Sequence, residues 1–328
     1  MQPSLDNWLN TDQKIYNIYY LKWDNDSPST EWLSNKPKKY NMSKTVKWKN
    51  VGCEVLLLGD IESNTQKSLE DFKHTSLLKS NLQKCVRRGL LNESLSTAKL
   101  MIKTDFIQFI RRLSIIMFED TTLHNSLGPL VWMIGAYPKW QPCKKHINWL
   151  LGLVKYLVLN KYQEQYSKKE FDFRMNLKSI NSLKPSERNL IYSMIFRASY
   201  GGMPGDIGMI NCLTQMWIER FKSNKYYNVF DTFQPIQDKI KNIKTNQILL
   251  ESVDFHCYPQ MINKIKGIHL NLSQEEIKKA IWFHRSCYNY REYLDDKELP
   301  IINTYSDIWE IIKTDVNKIS RQYINSLS

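Results

Sequence analysis

From about Ser68 onward the apolar residues of this chain recur three and four positions apart, which commits most of its length to amphipathic helices. Leu77, Leu78, Leu82, Cys85 and Val86 share one face, and Gly89 ends that run. A second helix passes through Leu95, Ala98, Leu100, Met101 and Ile102. Thr104 or Asp105 can cap a third, in which Phe106, Ile107, Phe109, Ile110, Leu113, Ile116 and Met117 make a broad apolar surface. Further helices are expected at Leu127–Gly135, Ile147–Lys161, Ser186–Ser199, Asp206–Phe221, Thr245–Val253, Tyr258–Lys266, Ser273–Tyr293 and Tyr305–Leu327. Ser273-Gln-Glu-Glu276 reads as a capping box. The expected fold class is therefore mainly α, a multi-helix array with no visible fixed-period repeat.

Ahead of the helices the pattern changes. Thr45–Ile61 has the β-branched and aromatic content of a hairpin turning near Asn50–Gly52, and two strands alone are marginal until they pack on the helices beyond them. Asn25–Ser43 mixes Ser, Pro, Lys and Asn with little apolar periodicity. The expected organisation is a flexible tail over 1–43, a small hairpin over 44–65 and a helical domain over 66–328. Aromatic islands at Trp8, Tyr19-Tyr20-Leu21, Trp23 and Trp32-Leu33 suggest that parts of this tail dock, either on the chain's own body or on a partner.

Composition narrows the class further. Ten Trp and eighteen Tyr, against eleven Gly and eleven Pro in 328 residues, exclude collagen-like and wholly disordered chains. The longest apolar run, Trp149–Asn160, is interrupted by Lys155, and the chain opens on polar residues, so neither membrane spanning nor a secretory leader is expected. Six cysteines, Cys53, Cys85, Cys143, Cys212, Cys257 and Cys287, stand far apart with no C-x-x-C pair, which suits a reducing, intracellular setting and gives no zinc motif.

Forty-six basic residues against 33 acidic ones give a formal net charge of +13, making polyanions the first partner class to consider. An AT-biased genome also writes Lys-rich surfaces, so charge alone leaves nucleic-acid contact open. The candidate contacts are the clustered cations Lys84, Arg87, Arg88, Arg111, Arg112, Lys144 and Lys145. Arg111 and Arg112 precede Glu119 and Asp120 by about two helical turns, an arrangement that suits either a buried ion pair or phosphate contact. Tyr137-Pro-Lys-Trp140 and Trp282-Phe-His-Arg285 place aromatics beside cations, where they serve as core anchors or as base-stacking groups.

Three places carry residue types used in chemistry. Tyr200-Gly-Gly-Met-Pro-Gly-Asp206 precedes a helix, with Asp206 a simple N-cap or the backbone amides a phosphate cradle. Asp254, His256 and Cys257, with His284 and Cys287, are metal-ligand types, and so are Glu119, Asp120 and His124. None has a recognised metal or nuclease spacing, and no catalytic motif, metal or cofactor is assigned from the sequence.

The sharpest pattern lies at the start. Gln2-Pro-Ser-Leu5-Asp-Asn-Trp8-Leu9 spaces a glutamine, an aliphatic, an aromatic and a second bulky residue so that one 3₁₀ turn projects Leu5 and Trp8 together. This segment resembles the PIP box, the peptide by which replication and repair proteins bind PCNA-type sliding clamps. The resemblance implies that Gln2 fills a small polar pocket while Leu5 and Trp8 fill an apolar one, with Leu9 beside them. Leu9 stands where the eukaryotic pattern prefers an aromatic, and the Trp-Leu ending resembles archaeal-type clamp peptides. Position supports the match, since the motif precedes the expected flexible tether. Residues 77–122 are similar, at low specificity, to the helical C-terminal region of replication-associated recombination ATPases related to clamp loaders, but no phosphate loop accompanies them.

The function so expected is a DNA replication or repair accessory protein, tethered to a sliding clamp and touching DNA or replisome partners, in the nucleus or another site of replication. The alternatives are a clamp-recruited nuclease or other DNA-processing enzyme, and a helical scaffold with no nucleic-acid role.

Overall fold

The computed structural model describes residues 18–24, 27–48, 51–59, 74–164, 180–237, 239–293 and 305–327. Helices dominate the described residues, and a four-stranded sheet accompanies them. The chain divides by its contacts into two compact units: the described parts of Met1–Thr65 with Leu113–Leu153 and Glu164–Ile236, and the described parts of Gln66–Arg112 with Val154–Gln163 and Gln237–Ser328. The single helical domain expected over 66–328 is thus divided, and the sheet belongs with one portion of it.

The first unit is built on strands β1 (Ile18–Asp24), β2 (Ser27–Leu33), β3 (Met42–Trp48) and β4 (Val51–Leu58), in the order β2-β1-β4-β3. The expected hairpin is present as β3 and β4, paired antiparallel from Met42 opposite Leu57 to Trp48 opposite Val51. Residues 18–24 and 27–33, expected as part of a flexible tail, instead form an antiparallel strand pair whose first strand lies parallel to β4. The aromatic islands explain the correction. Tyr19, Leu21, Trp23 and Trp32 are buried on the chain's own body, removing apolar area from water that a tail would leave exposed. On the other face Ile18, Tyr20 and Leu56 form a smaller buried cluster with Leu33 and Leu58.

Helix α4 (Leu127–Ala136) is buried at every position, as its all-apolar circumference requires, and it packs on the sheet. The indole Nε1 of Trp132 donates to the carbonyls of Tyr19 and Leu56, 3.1 and 3.0 Å away, across the parallel strand pair. Tyr19 in turn donates its hydroxyl to the Gly128 carbonyl at 2.6 Å. Gly128 is required there, because a Cβ would stand 2.1 Å from Thr30 Oγ1. Helices α6 (Pro185–Ser199) and α7 (Pro204–Ser223) complete this unit against one another. Phe196 of α6 stacks on Trp48 and meets Tyr19 and Trp32 edge-on.

In the second unit, α1 (Thr75–Arg87) and α2 (Leu91–Thr104) pack together, joined by Gly89 in the left-handed region at φ 68°. Helix α3 (Phe106–Asp120) starts at Asp105, whose Oδ1 accepts from the Gln108 amide at 3.2 Å, so Asp105 is the cap. Helices α3 and α5 (Lys144–Leu159) contribute residues to both units. The helix expected over Thr245–Val253 is replaced by two 3₁₀ turns, Thr245–Gln247 and Leu250–Ser252. Buried Asn81 is the cause: its Oδ1 accepts from the Leu249 amide and the Ser252 hydroxyl, while its Nδ2 donates to Thr97. Helix α8 (Met261–Ile268) comes next, then α9 (Gln274–Ile281), entered through the expected capping box of Ser273 and Glu276. The continuous helix expected to Tyr293 stops at Ile281 and widens into a π turn, Trp282–Ser286. The last long helix is α10 (Ser306–Asn325), close to the expected span.

Candidate nucleic-acid interface

The cations singled out by sequence separate into buried and surface groups. Lys84 and Arg87 lie on the inner side of α1, 3% and 8% exposed. Lys84 Nζ is ion-paired with Asp254, and Arg87 donates to the Ser286 carbonyl. Both are corrections to the expected contact set, since neither ammonium nor guanidinium is presented to solvent. Arg88 is half-buried and donates to the Arg285 carbonyl at 2.9 Å. Arg111 and Arg112 are half-exposed, and Arg112 reaches Gln83 Oε1 at 3.0 Å. Lys144 is exposed and Lys145 half-exposed in the first turn of α5.

Asp254 is the centre of a polar core in the second unit. Its carboxylate accepts from Lys84, from Ser286 Oγ at 2.8 Å, and from the amide and Nδ1 of His256 at 2.9 and 3.2 Å. Burial by itself raises its pKa. The hydrogen bonds from His256 and the charge and hydrogen bond of Lys84 outweigh burial, and the carboxyl is held well below its ordinary range. The π turn makes this possible: by widening the last turn of α9 it brings both Arg285 and Ser286 inward. Arg285 Nη1 donates to the carbonyls of Leu250 and Val253 and to Ser320 Oγ, and Nη2 to Asn317. Arg291 likewise caps the end of α5, reaching the carbonyls of Leu157 at 2.6 Å and Val158 at 3.0 Å.

The aromatic candidates divide the same way. Trp140 is a core residue, 1% exposed, set against Trp132 and His146. Trp282 is 44% exposed. Just beyond the π turn, Tyr288 and Tyr290 are also exposed, and sequence reasoning missed them. The signal was the loss of helical period at Tyr288-Asn-Tyr290-Arg291, absorbed into an over-long helix.

The residues considered for catalysis or metal binding have other partners. His124 places Nδ1 2.8 Å from Ser126 Oγ and Nε2 2.9 Å from the Asp231 carbonyl. His284 stacks on Trp309, and the Cys287 thiol donates to the Phe283 carbonyl. Among the described residues, no group of three His, Cys, Asp or Glu side chains is arranged to hold a metal ion. Helix α7 begins at Pro204 after an N-cap at Met203, which moves Asp206 from the cap into the first turn. Among the described residues no helix is long and apolar enough to cross a membrane. Gln2, Leu5, Trp8 and Leu9 lie outside the described residues. In comparisons with known proteins, no family profile, no curated protein and no solved structure matches this chain.

Proposed function

We propose that the protein is a non-enzymatic accessory factor of DNA replication or repair, held on a PCNA-type sliding clamp by Gln2, Leu5, Trp8 and Leu9. Its basic surface touches DNA, and it acts in the nucleus or another site of replication. One observation carries this reading: the Gln-x-x-Leu-x-x-Trp-Leu spacing, which in a single 3₁₀ turn makes a two-residue apolar plug with a polar anchor beside it. The contact set for DNA is narrowed to the cations with solvent access, Arg88, Arg111, Arg112, Lys144 and Lys145. Positions 10–17 separate the motif from β1, and a chain of that length spans at most roughly 29 Å, so a docked clamp sits close to the folded body.

The test is calorimetric titration of the full chain into a cognate PCNA-type clamp. The wild-type chain is expected to bind, and the Leu5→Ala/Trp8→Ala double variant to lose at least about 100-fold in affinity, as loss of two buried anchors implies. Undiminished binding by the double variant overturns the proposal, as does a wild-type chain that ignores the clamp.

A further inference from the structure

After the π turn the chain leaves helical geometry and sets two tyrosines outward, Tyr288 at 51% and Tyr290 at 44% exposure. Each ring is backed by a guanidinium: Arg88 Cζ lies 5.5 Å from the Tyr288 centroid and Arg291 Cζ 4.7 Å from that of Tyr290. Tyr290 is also fixed in place. Its hydroxyl donates to the Val158 carbonyl at 2.7 Å and its amide to the Arg87 carbonyl at 3.1 Å. Its ring lies against Gly89, where a Cβ would stand 3.0 Å from Cε1. Leu159, which follows the Val158 acceptor in sequence, is 55% exposed.

We infer that Tyr288 and Tyr290, with Arg88 beside them, form a stacking platform for single-stranded DNA. This rests on the DNA contact proposed above and gives it a place and a strand preference. Rings already held by cation–π and hydrogen-bond contacts lose little conformational freedom when a base stacks on them. Two such rings, two residues apart, suit unpaired bases, whose faces a duplex hides. Charge selects a polyanion over an apolar protein partner. The chain carries a formal net charge of +13, and the half-buried Arg88 keeps solvent access beside the Tyr288 ring.

The experiment uses the full-length protein and a fluorescent oligo-dT of about 15 nucleotides, followed by anisotropy, with the matching RNA and a duplex as further probes. The wild type is expected to bind the DNA strand more tightly than the duplex. Tyr288→Ala is expected to weaken binding by about tenfold, while Tyr288→Phe stays within about twofold. Arg88→Gln is expected to make the salt dependence shallower by about 0.7 in slope. Tyr227→Ala, at a tyrosine 70% exposed in the first unit, is the unchanged control. Thermal melts run in parallel confirm that each variant is folded. Wild-type affinity in folded Tyr288→Ala overturns the platform but leaves DNA contact elsewhere intact. A wild-type chain that binds no strand overturns both the platform and the DNA half of the proposed function, while the clamp titration stands apart. Tighter binding to duplex, or to RNA alone, also overturns the platform.

Discussion

At the scale of single residues, environment separates side chains that the sequence writes alike. Lys84 and Lys144 are both lysines on helices, yet one sits beside Asp254 in the core and the other in solvent. Helical periodicity could not sort them, because a long cationic side chain on the apolar face can be drawn inward by a carboxylate 170 positions away in sequence. His124 shows the same dependence and gives a pH prediction. Burial pushes its imidazole down to about 4, only partly countered by the hydrogen bond to the Asp231 carbonyl. An unfolded chain titrates this group near 6.5, so on acidification the unfolded form takes up the proton first. The stability from a neutral His124 is whole above about pH 6.5 and drains as pH falls toward 4. Urea titrations across that range are expected to lose up to roughly 3 kcal/mol from this site, and His124→Gln to flatten the loss. Asp254 acts in a separate window: its depressed pKa keeps its contribution whole above about pH 4 and removes it in stronger acid.

At the scale of elements, the long helices and the β3–β4 hairpin were legible, because each carries its own period of apolar residues and its own cap or turn. The Ser273–Glu276 box lies where its spacing said it would. What failed was local signal overruled by distant partners: Asn81 bends 245–253 into two 3₁₀ turns, and the inward pull on Arg285 and Ser286 ends α9 early. The β1–β2 pair was missed because Ser-Pro-Ser-Thr reads as loop. Strand β2 is a sheet edge, and Pro28 there suits an edge position. Asn189 of α6 occupies that edge as a surrogate strand, its Oδ1 accepting from the Trp32 amide at 3.2 Å and its Nδ2 donating to the Thr30 carbonyl at 3.3 Å. Asn189→Leu leaves both backbone groups without this partner and is expected to lower stability by about 2 kcal/mol, read as a fall in the urea midpoint at unchanged slope. Asn189→Asp, which keeps the acceptor, is expected to fall between.

For the whole molecule, the question is where the charge goes. Lys84, Arg87, Arg197, Arg220, Arg285 and Arg291 are buried, against Asp120, Glu164, Glu187 and Asp254. The described core therefore absorbs little of the +13 surplus, and most of it remains for partners. If that surplus serves DNA contact, affinity for a single strand should fall linearly with the logarithm of salt, with a slope of about −0.7 for each phosphate neutralised. A flat salt profile would remove the electrostatic basis of the proposed DNA role while leaving clamp docking untouched.

The sequence by itself determined that helices make up most of the described residues, where most of those helices begin and end, and that the chain carries a clamp-like spacing at Gln2, Leu5, Trp8 and Leu9; these properties belong to residues within one or two turns of each other. Only the tertiary structure decided that Tyr19 and Trp32 belong to a sheet, that Lys84 and Arg87 belong to a core, and that Tyr288 and Tyr290 face outward. Burial and ion pairing depend on side chains far apart in sequence coming within a few ångströms, and no local pattern encodes that meeting.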